Sequence, residues 1–305
     1  MPTTNEYHSP SNTGLMRQLV KYLESEKAKG LSHVLLDEDA RQALRNVANS
    51  SKSAPKSNPT TSKPTATATA TQNPQSLTKH EAMNAHTCGL TAISQTLPKS
   101  EQLAQLEQQV RAWPSGDLPQ SLRKTMVFSS GNPESKLMLI GEAPGHEEEK
   151  ALCPFVGLAG KKLDQIFEAM GLKRDETYVT NLVKFRPATA RQTTNNRKPN
   201  AEEVAAFIPV IREEIRIVAP QCIVALGATA LEALLGTDST VASERGRWHE
   251  FEGIPLRVTY HPSYLLQTGE NLSIKRMLWE DMLAVMEKIG MEISTKQHGY
   301  FLPNS

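Results

Sequence analysis

From residue 136 to residue 289 the chain alternates short apolar, β-rich runs with stretches of helical periodicity. The runs are KLMLIGE (136–142), YVTNLVK (178–184), CIVALG (222–227) and PLRVTYH (255–261). Between and after them, residues 160–170, 201–218, 228–235 and 272–289 space their apolar side chains as one helix face does. The second stops where Ala219-Pro220 would end a helix. Upstream, Leu103, Leu106 and Val110 suggest one more helix, ending near Trp113-Pro114. Strands that are apolar on both faces, each followed by a helix, imply a parallel sheet covered on both sides. The expected fold class is therefore α/β, a three-layer α/β/α sandwich around a central four-stranded parallel sheet. In such sheets chemistry gathers at the carboxyl ends of the strands. That rule selects GEAPG from Gly141, NLVKFRP from Asn181 and HPS from His261.

The remainder of the chain reads differently. Residues 49–78 contain no acid, no aromatic residue and a single leucine. Such a segment cannot bury enough apolar surface to offset its chain entropy. The expected organisation is a short helical extension (1–48), a disordered linker (49–95), a globular domain (96–292) and a tail (293–305). In the extension, Leu15, Leu19, Tyr22 and Leu23 share a helix face, and residues 38–47 form a second candidate helix. A frayed extension and a tethered partner-binding helix both suit that pattern. Lys plus Arg number 34 and Asp plus Glu 33, a formal charge of +1. Near-neutrality excludes a uniformly basic nucleic-acid binder but leaves room for a local basic groove. The three cysteines, Cys88, Cys153 and Cys222, are too few and too scattered for a disulfide framework or a four-thiolate metal site. Lacking a signal peptide or a membrane-length apolar run, the chain is expected to be soluble and cytoplasmic.

Several segments carry chemistry. Gly141-Glu142-Ala143-Pro144-Gly145 puts two glycines and a proline in five residues, which fixes a sharp turn and lets backbone amides approach a ligand. Pro154-Phe155-Val156-Gly157 follows ten residues on, and His261-Pro262-Ser263 closes the last strand. Residues 184–198 hold five basic side chains, Lys184, Arg186, Arg191, Arg197 and Lys198, and no acid, as a phosphate-contacting loop would. A solvated loop is the plainer alternative. Singly, Phe155 also suits a core position, His261 a turn and Asn181 a bulge; together, at successive strand ends, they make a purely structural role hard to sustain.

The strings GEAPGHEEEKALCPFVGLAGKKLDQIF, TNLVKFRP, VALGATALEALLG, RGRW and TYHPSYLL, in that order over residues 98–290, resemble the family 4 uracil-DNA glycosylases. The resemblance implies an enzyme of base excision repair that flips uracil out of DNA and hydrolyses its N-glycosidic bond. By motif match it implies that Phe155 stacks on the flipped base. Asn181 reads the uracil edge with its paired donor and acceptor. His261 stabilises charge developing on uracil O2, and Glu142 orients water or offsets charge on the sugar. The Ala143 amide contacts the base, with Glu148 a further acid of less defined role. Tyr264 and Leu265 are candidates to fill the vacated stack, and Ser263 to contact a phosphate.

The sequence also departs from that family, whose members typically hold a [4Fe–4S] cluster on four cysteines. Aligned flanks put Trp113, Gly116, Phe185 and Phe207 at those positions. No cluster and no metal are expected, with apolar rings filling the volume instead. Leu152 stands where relatives usually carry glycine, so the turn presenting Phe155 is expected to shift. RGRWHEFEGIP occupies the place of the loop used by a covalently trapping branch, which argues against a covalent mode. The expected partners are uracil-containing DNA and a protein for the N-terminal helices, with the chain a monomer. Two alternatives stay open: a glycosylase for another deaminated base, and a non-catalytic DNA-binding or replication-partner module.

Overall fold

The computed structural model describes residues 90–113, 118–269 and 271–302. The extension 1–48, the linker through residue 89 and Gly116 lie outside the described residues. Eight strands are present: β1 (Leu122–Met126), β2 (Ser129–Gly131), β3 (Leu137–Gly141), β4 (Tyr178–Asn181), β5 (Phe185–Pro187), β6 (Cys222–Leu226), β7 (Trp248–Phe251) and β8 (Ile254–Thr259). Among the helices are α1 (Lys99–Arg111), α2 (His146–Ala151), α3 (Leu158–Met170), α4 (Ala201–Val218) and α5 (Ala228–Leu235). They continue with α6 (Val241–Glu244), α7 (Pro262–Thr268), α8 (Leu272–Lys288) and α9 (Thr295–His298).

The main sheet runs β2-β4-β3-β6-β8-β7. Its four central strands, β4, β3, β6 and β8, are parallel, while β2 and β7 pair antiparallel at the edges. The expected four-stranded parallel sheet is thus the middle of a six-stranded mixed one. The edges escape sequence reading for a physical reason. β2 is only three residues, SSG, and β7 keeps a largely solvated face, so neither carries the both-faces-buried signature of the centre. The expected strand 178–184 also divides. β4 ends at Asn181, Leu182 N–H and Val183 N–H donate to the Gly141 and Glu142 carbonyls, and β5 then pairs with β1 in a separate two-stranded sheet.

Strand periodicity sorts the core into two layers. Met138 and Ile140 face one side with Phe207, Val210 and Ile211 of α4 and Leu231 of α5. Leu137 and Leu139 face the other with Leu163 and Phe167 of α3 and Trp279 and Met282 of α8. Helix α4 begins with a capping box: Asn200 Oδ1 accepts from Glu203 N–H, and the Glu203 carboxylate accepts from Asn200 N–H, both at 2.8 Å. Packing also reaches beyond the expected domain limits. Ile93, assigned to the linker, is buried, and Gln109 bonds both the amide and the carbonyl of Thr91. In the tail, Gln297 accepts from the Trp279 indole at 2.6 Å through its carbonyl and donates to Ala169 O at 2.9 Å. No helix among the described residues is long and apolar enough to cross a membrane.

Trp113, Phe185 and Phe207, from α1's end, β5 and α4, meet in one buried group. Ring centroids are 5.3 Å apart for Trp113–Phe207 and 5.8 Å for Phe185–Phe207. The three rings tie the β1–β5 sheet and α1 to α4 by burial. Phe207→Ala should therefore cost about 3–5 kcal/mol in denaturant unfolding, the usual loss for truncating a buried Phe. A loss under about 1 kcal/mol would show that the cluster does not carry this corner of the fold.

Candidate active site

Parallel pairing of β3 with β4 sets Gly141 opposite Asn181 at the carboxyl ends of both strands. Close approach is what makes position 141 a glycine. A Cβ there would lie 2.4 Å from Asn181 Oδ1 and 2.4 Å from Phe155 Cζ. Phe155 in turn faces His261, ring centroids 5.6 Å apart. His261 leaves β8 beside Gly227, the turn after β6. Gly227 has φ 90°, and a Cβ on it would stand 2.9 Å from His261 Cβ. Sheet register and two glycines thus bring Asn181, Phe155 and His261 around one small space.

Asn181 is 2% exposed. Its carbonyl accepts from Lys184 Nζ at 2.9 Å. Among the described residues, no group bonds its side-chain amide. The amide's atoms are not among the fully buried polar atoms left without a partner, so they keep access to solvent and are open to pair with a ligand edge. The Ala143 N–H likewise meets no acceptor among the described residues.

His261 caps α7, with Ser263 N–H donating to its Nδ1 at 3.2 Å and the Ser263 hydroxyl 2.7 Å from the same atom. An Nδ1 that accepts leaves the ring proton on Nε2. Burial holds the imidazolium down, to about 4, against the opposing Glu148 charge. At neutral pH His261 is an uncharged Nε2–H donor. Ser263 is placed to hold that orientation of the ring.

Phe155 sits in a left-handed turn, φ 55°. The turn is pinned by Glu148, whose carboxylate accepts from Gly145 N–H (3.1 Å), Val156 N–H (3.0 Å) and Gly157 N–H (2.8 Å). Arg174 holds Pro154 O at 2.6 Å. Gly160 lets the turn lie on α3, since a Cβ there would meet Phe155 O at 1.8 Å. Glu148, whose role the sequence left undefined, therefore joins the two loops of the site through their backbone amides. Leu152 keeps the backbone a glycine would adopt, φ 57° and ψ 29°, and turns its side chain outward at 62% exposed. Holding a leucine in this left-handed conformation costs about 1–2 kcal/mol.

Glu142 follows Gly141. Burial raises its carboxyl above the usual range, while a hydrogen bond from Thr229 and the charge of Lys198 act the other way. No stretch of sequence flags Thr229, which enters from α5.

The basic loop divides between structure and solvent. Lys184 is wholly buried, its ammonium on Glu214, on Asn181 O and on Thr180 Oγ1. Arg186 reaches Glu149 at 3.0 Å, Asn196 Oδ1 at 3.0 Å and the Thr193 and Asn195 carbonyls. Arg197 clamps Glu203 and the Ser121 and Ala188 carbonyls. These three fold the loop instead of meeting phosphates, because their partners arrive from α4, α2 and the segment before β1. Arg191 and Lys198 remain at the surface, Lys198 3.3 Å from Glu232. In α7, Leu265 is buried on the face of Pro262, while Tyr264 (37%) and Leu266 (40%) are exposed. Helical register, set by Pro262 at the first position, decides which leucine turns outward.

The fold is α/β, with Asn181, Phe155, His261 and Glu142 gathered at the carboxyl ends of its strands and the turns beside them. Residues 128–283 match the uracil DNA glycosylase superfamily. The Type-4 uracil-DNA glycosylase of Thermotoga maritima is 38% identical over 165 residues, 52% of this chain and 81% of that protein. Its counterpart from Sulfurisphaera tokodaii is 35% identical over 191 residues, 59% and 81% of the two chains. The Type-5 uracil-DNA glycosylase of Pyrobaculum aerophilum is 29% identical over 160 residues, 52% and 65%. The chain belongs to the uracil-DNA glycosylase superfamily, in its type-4 family.

His261 also sets a pH dependence. Its folded value, about 4, lies below the ordinary 6.5, so the folded state binds fewer protons than the unfolded one between those values. Its contribution is complete above about pH 6.5 and is lost as pH falls toward 4, about 3 kcal/mol in all. In urea titrations, wild type should lose about 3 kcal/mol relative to His261→Gln, which cannot take up the proton, as pH falls from 6.5 toward 4. Parallel curves would refute a buried neutral imidazole.

Proposed function

We propose that the protein excises uracil from DNA by hydrolysing the N-glycosidic bond, and that it does so without an iron–sulfur cluster. The observation that carries this reading is the buried Asn181 amide, unspent by the protein, beside Phe155 and a neutral His261. An amide offers a donor and an acceptor together, matching uracil O4 and N3–H. Phe155 stacks on the extruded base and offsets part of the few kcal/mol that extrusion costs. As the glycosidic bond lengthens, negative charge gathers on the base. His261 Nε2–H donates to uracil O2 and stabilises it without giving up its proton. Glu142 stands where a carboxylate can orient the attacking water and offset positive charge on the sugar. Arg191 and Lys198 meet the DNA backbone, and Tyr264 and Leu266 take the space the base leaves.

The metal-free reading rests on the donor set. Trp113, Phe185 and Phe207 stand at three positions where the family places cluster cysteines, offer no thiolate, and pack on one another. Such a site does not fit iron–sulfur ligation. Cys222 lies in β6 with its thiol pushed up to about 12 by burial, and Cys153 sits beside the Phe155 turn. In this reading the protein acts in the cytoplasm as a monomer, since one chain supplies every site residue. Residues 1–48 are then free to engage a protein partner.

Excision is tested with uracil-containing single- and double-stranded oligonucleotides, followed by alkaline cleavage at abasic sites. Wild type should release uracil, and Asn181→Ala and His261→Ala should each lower kcat/KM by about 100-fold with stability retained. Binding of uracil DNA without scission, at enzyme excess, would instead favour a non-catalytic DNA-binding module. Iron analysis of the active protein should find substoichiometric metal. A brown protein with stoichiometric iron would overturn the metal-free reading alone.

A further inference from the structure

Glu142 has a partner that no motif announces. Thr229, in the first turn of α5 and almost fully buried, donates its hydroxyl to Glu142 Oε2 at 2.5 Å. The Glu142 backbone is held separately, its carbonyl accepting from Val183 N–H at 3.1 Å. Thr229 therefore governs the side chain and not the loop. Among the described residues no group bonds the other carboxylate oxygen, Oε1. We propose that Thr229 is a positioning residue for the excision reaction: it locks one oxygen of Glu142 and leaves the second aimed into the pocket to accept from the attacking water.

The chemistry favours this division of labour. A carboxylate that rotates freely presents its oxygens to water in many orientations, whereas one anchored by a short hydrogen bond presents a single lone-pair direction. The same bond opposes, without outweighing, the rise that burial imposes on the Glu142 carboxyl. Burial alone favours the protonated acid, which would be a poor acceptor for a water proton. The Thr229 hydroxyl and the charge of Lys198 oppose that effect. Lys198 is half exposed and shared with Glu232, also on α5, so its contribution is screened by solvent. The other titratable groups of the pocket are His261, neutral at working pH, and Glu148, occupied by three backbone amides. The buried Thr229 hydroxyl is thus the specific contact that sets the direction of Glu142 and counters part of the effect of burial on its charge.

The inference rests on the uracil-excision reading, and its test separates the two. Thr229→Val keeps the shape and removes the hydroxyl. It should lower kcat by about tenfold, the loss expected for a hydrogen bond to a charged group, with KM for uracil DNA unchanged. The acid limb of the pH–rate profile should move to higher pH. Thr229→Ser should restore most of the rate, and Thr229→Ala serves if the valine variant folds poorly. In a Glu142→Gln background, Thr229→Val should have little further effect. Equal losses in both backgrounds, or a serine variant as slow as the valine one, would overturn the proposal. NMR titration of the Glu142 carboxyl provides a readout free of activity. The titration should move upward in Thr229→Val, and an unmoved titration would overturn the proposal. If wild type releases no uracil, the excision reading fails, while this titration still decides the contact.

Discussion

The β3–β4 register is the constraint on which the site depends. It sets Gly141 opposite Asn181, so that the last residue of one strand is the floor beneath the recognition amide of the next. Two conditions follow from the geometry: position 141 can bear no side chain, and the chain must leave β4 at once so that Asn181 ends the strand. The bonds from Leu182 and Val183 back to Gly141 and Glu142 meet the second condition. They convert what would have been a longer strand into a turn, free β5 to pair with β1, and close the backbone ladder at the rim of the pocket.

Around that register the protein spends charge on shape. Glu148 draws two loops together through three backbone amides, and Arg186 and Arg197 gather the carbonyls of the basic loop. Asp281, buried in α8, accepts from Arg245, Arg257, Thr259 and Gly246 N–H, fixing the RGRW segment and β8 just before His261. Lys184 and Glu214 form a buried pair beneath Asn181, with Tyr178 and Thr180 completing the carboxylate's bonds. Breaking one member of such a pair leaves an uncompensated buried charge, so these residues hold the loops in single positions. The candidate site groups stay few. Among the described residues the Asn181 amide, Glu142 Oε1 and His261 Nε2 carry no hydrogen bond, while Thr229 and Ser263 hold the other atoms of Glu142 and His261.

The aromatic group at Trp113, Phe185 and Phe207 shows how the same corner of the fold can be held by burial. It links α1, β5 and α4, three segments distant in sequence, through dispersion and exclusion of water. Apolar packing of this kind has no ligand geometry to satisfy. It does require that all three positions change together, because one ring alone would leave a void.

Local order was legible in the residues. Alternating periodicity located β3, β6, β8 and the four long helices after β3 to within a few residues, because strands buried on both faces and amphipathic helices each leave a distinct spacing. The motif order selected Asn181, Phe155, His261 and Glu142 as a group, and the structure brings these four to the ends of neighbouring strands or the turns beside them. Tertiary structure decided the rest. The basic loop read as a phosphate contact because no acid lies within it; Glu214, Glu149 and Glu203 reach Lys184, Arg186 and Arg197 only after folding. Leu265 and Leu266 are indistinguishable until helical phase sends one inward, and Thr229 meets Glu142 across 87 residues. The sequence by itself determined which chemical groups end the strands, since that follows from periods of two and 3.6. Which charges are consumed and which remain free was left to tertiary structure, because an ion pair or hydrogen bond depends on distance in space and leaves no period along the chain.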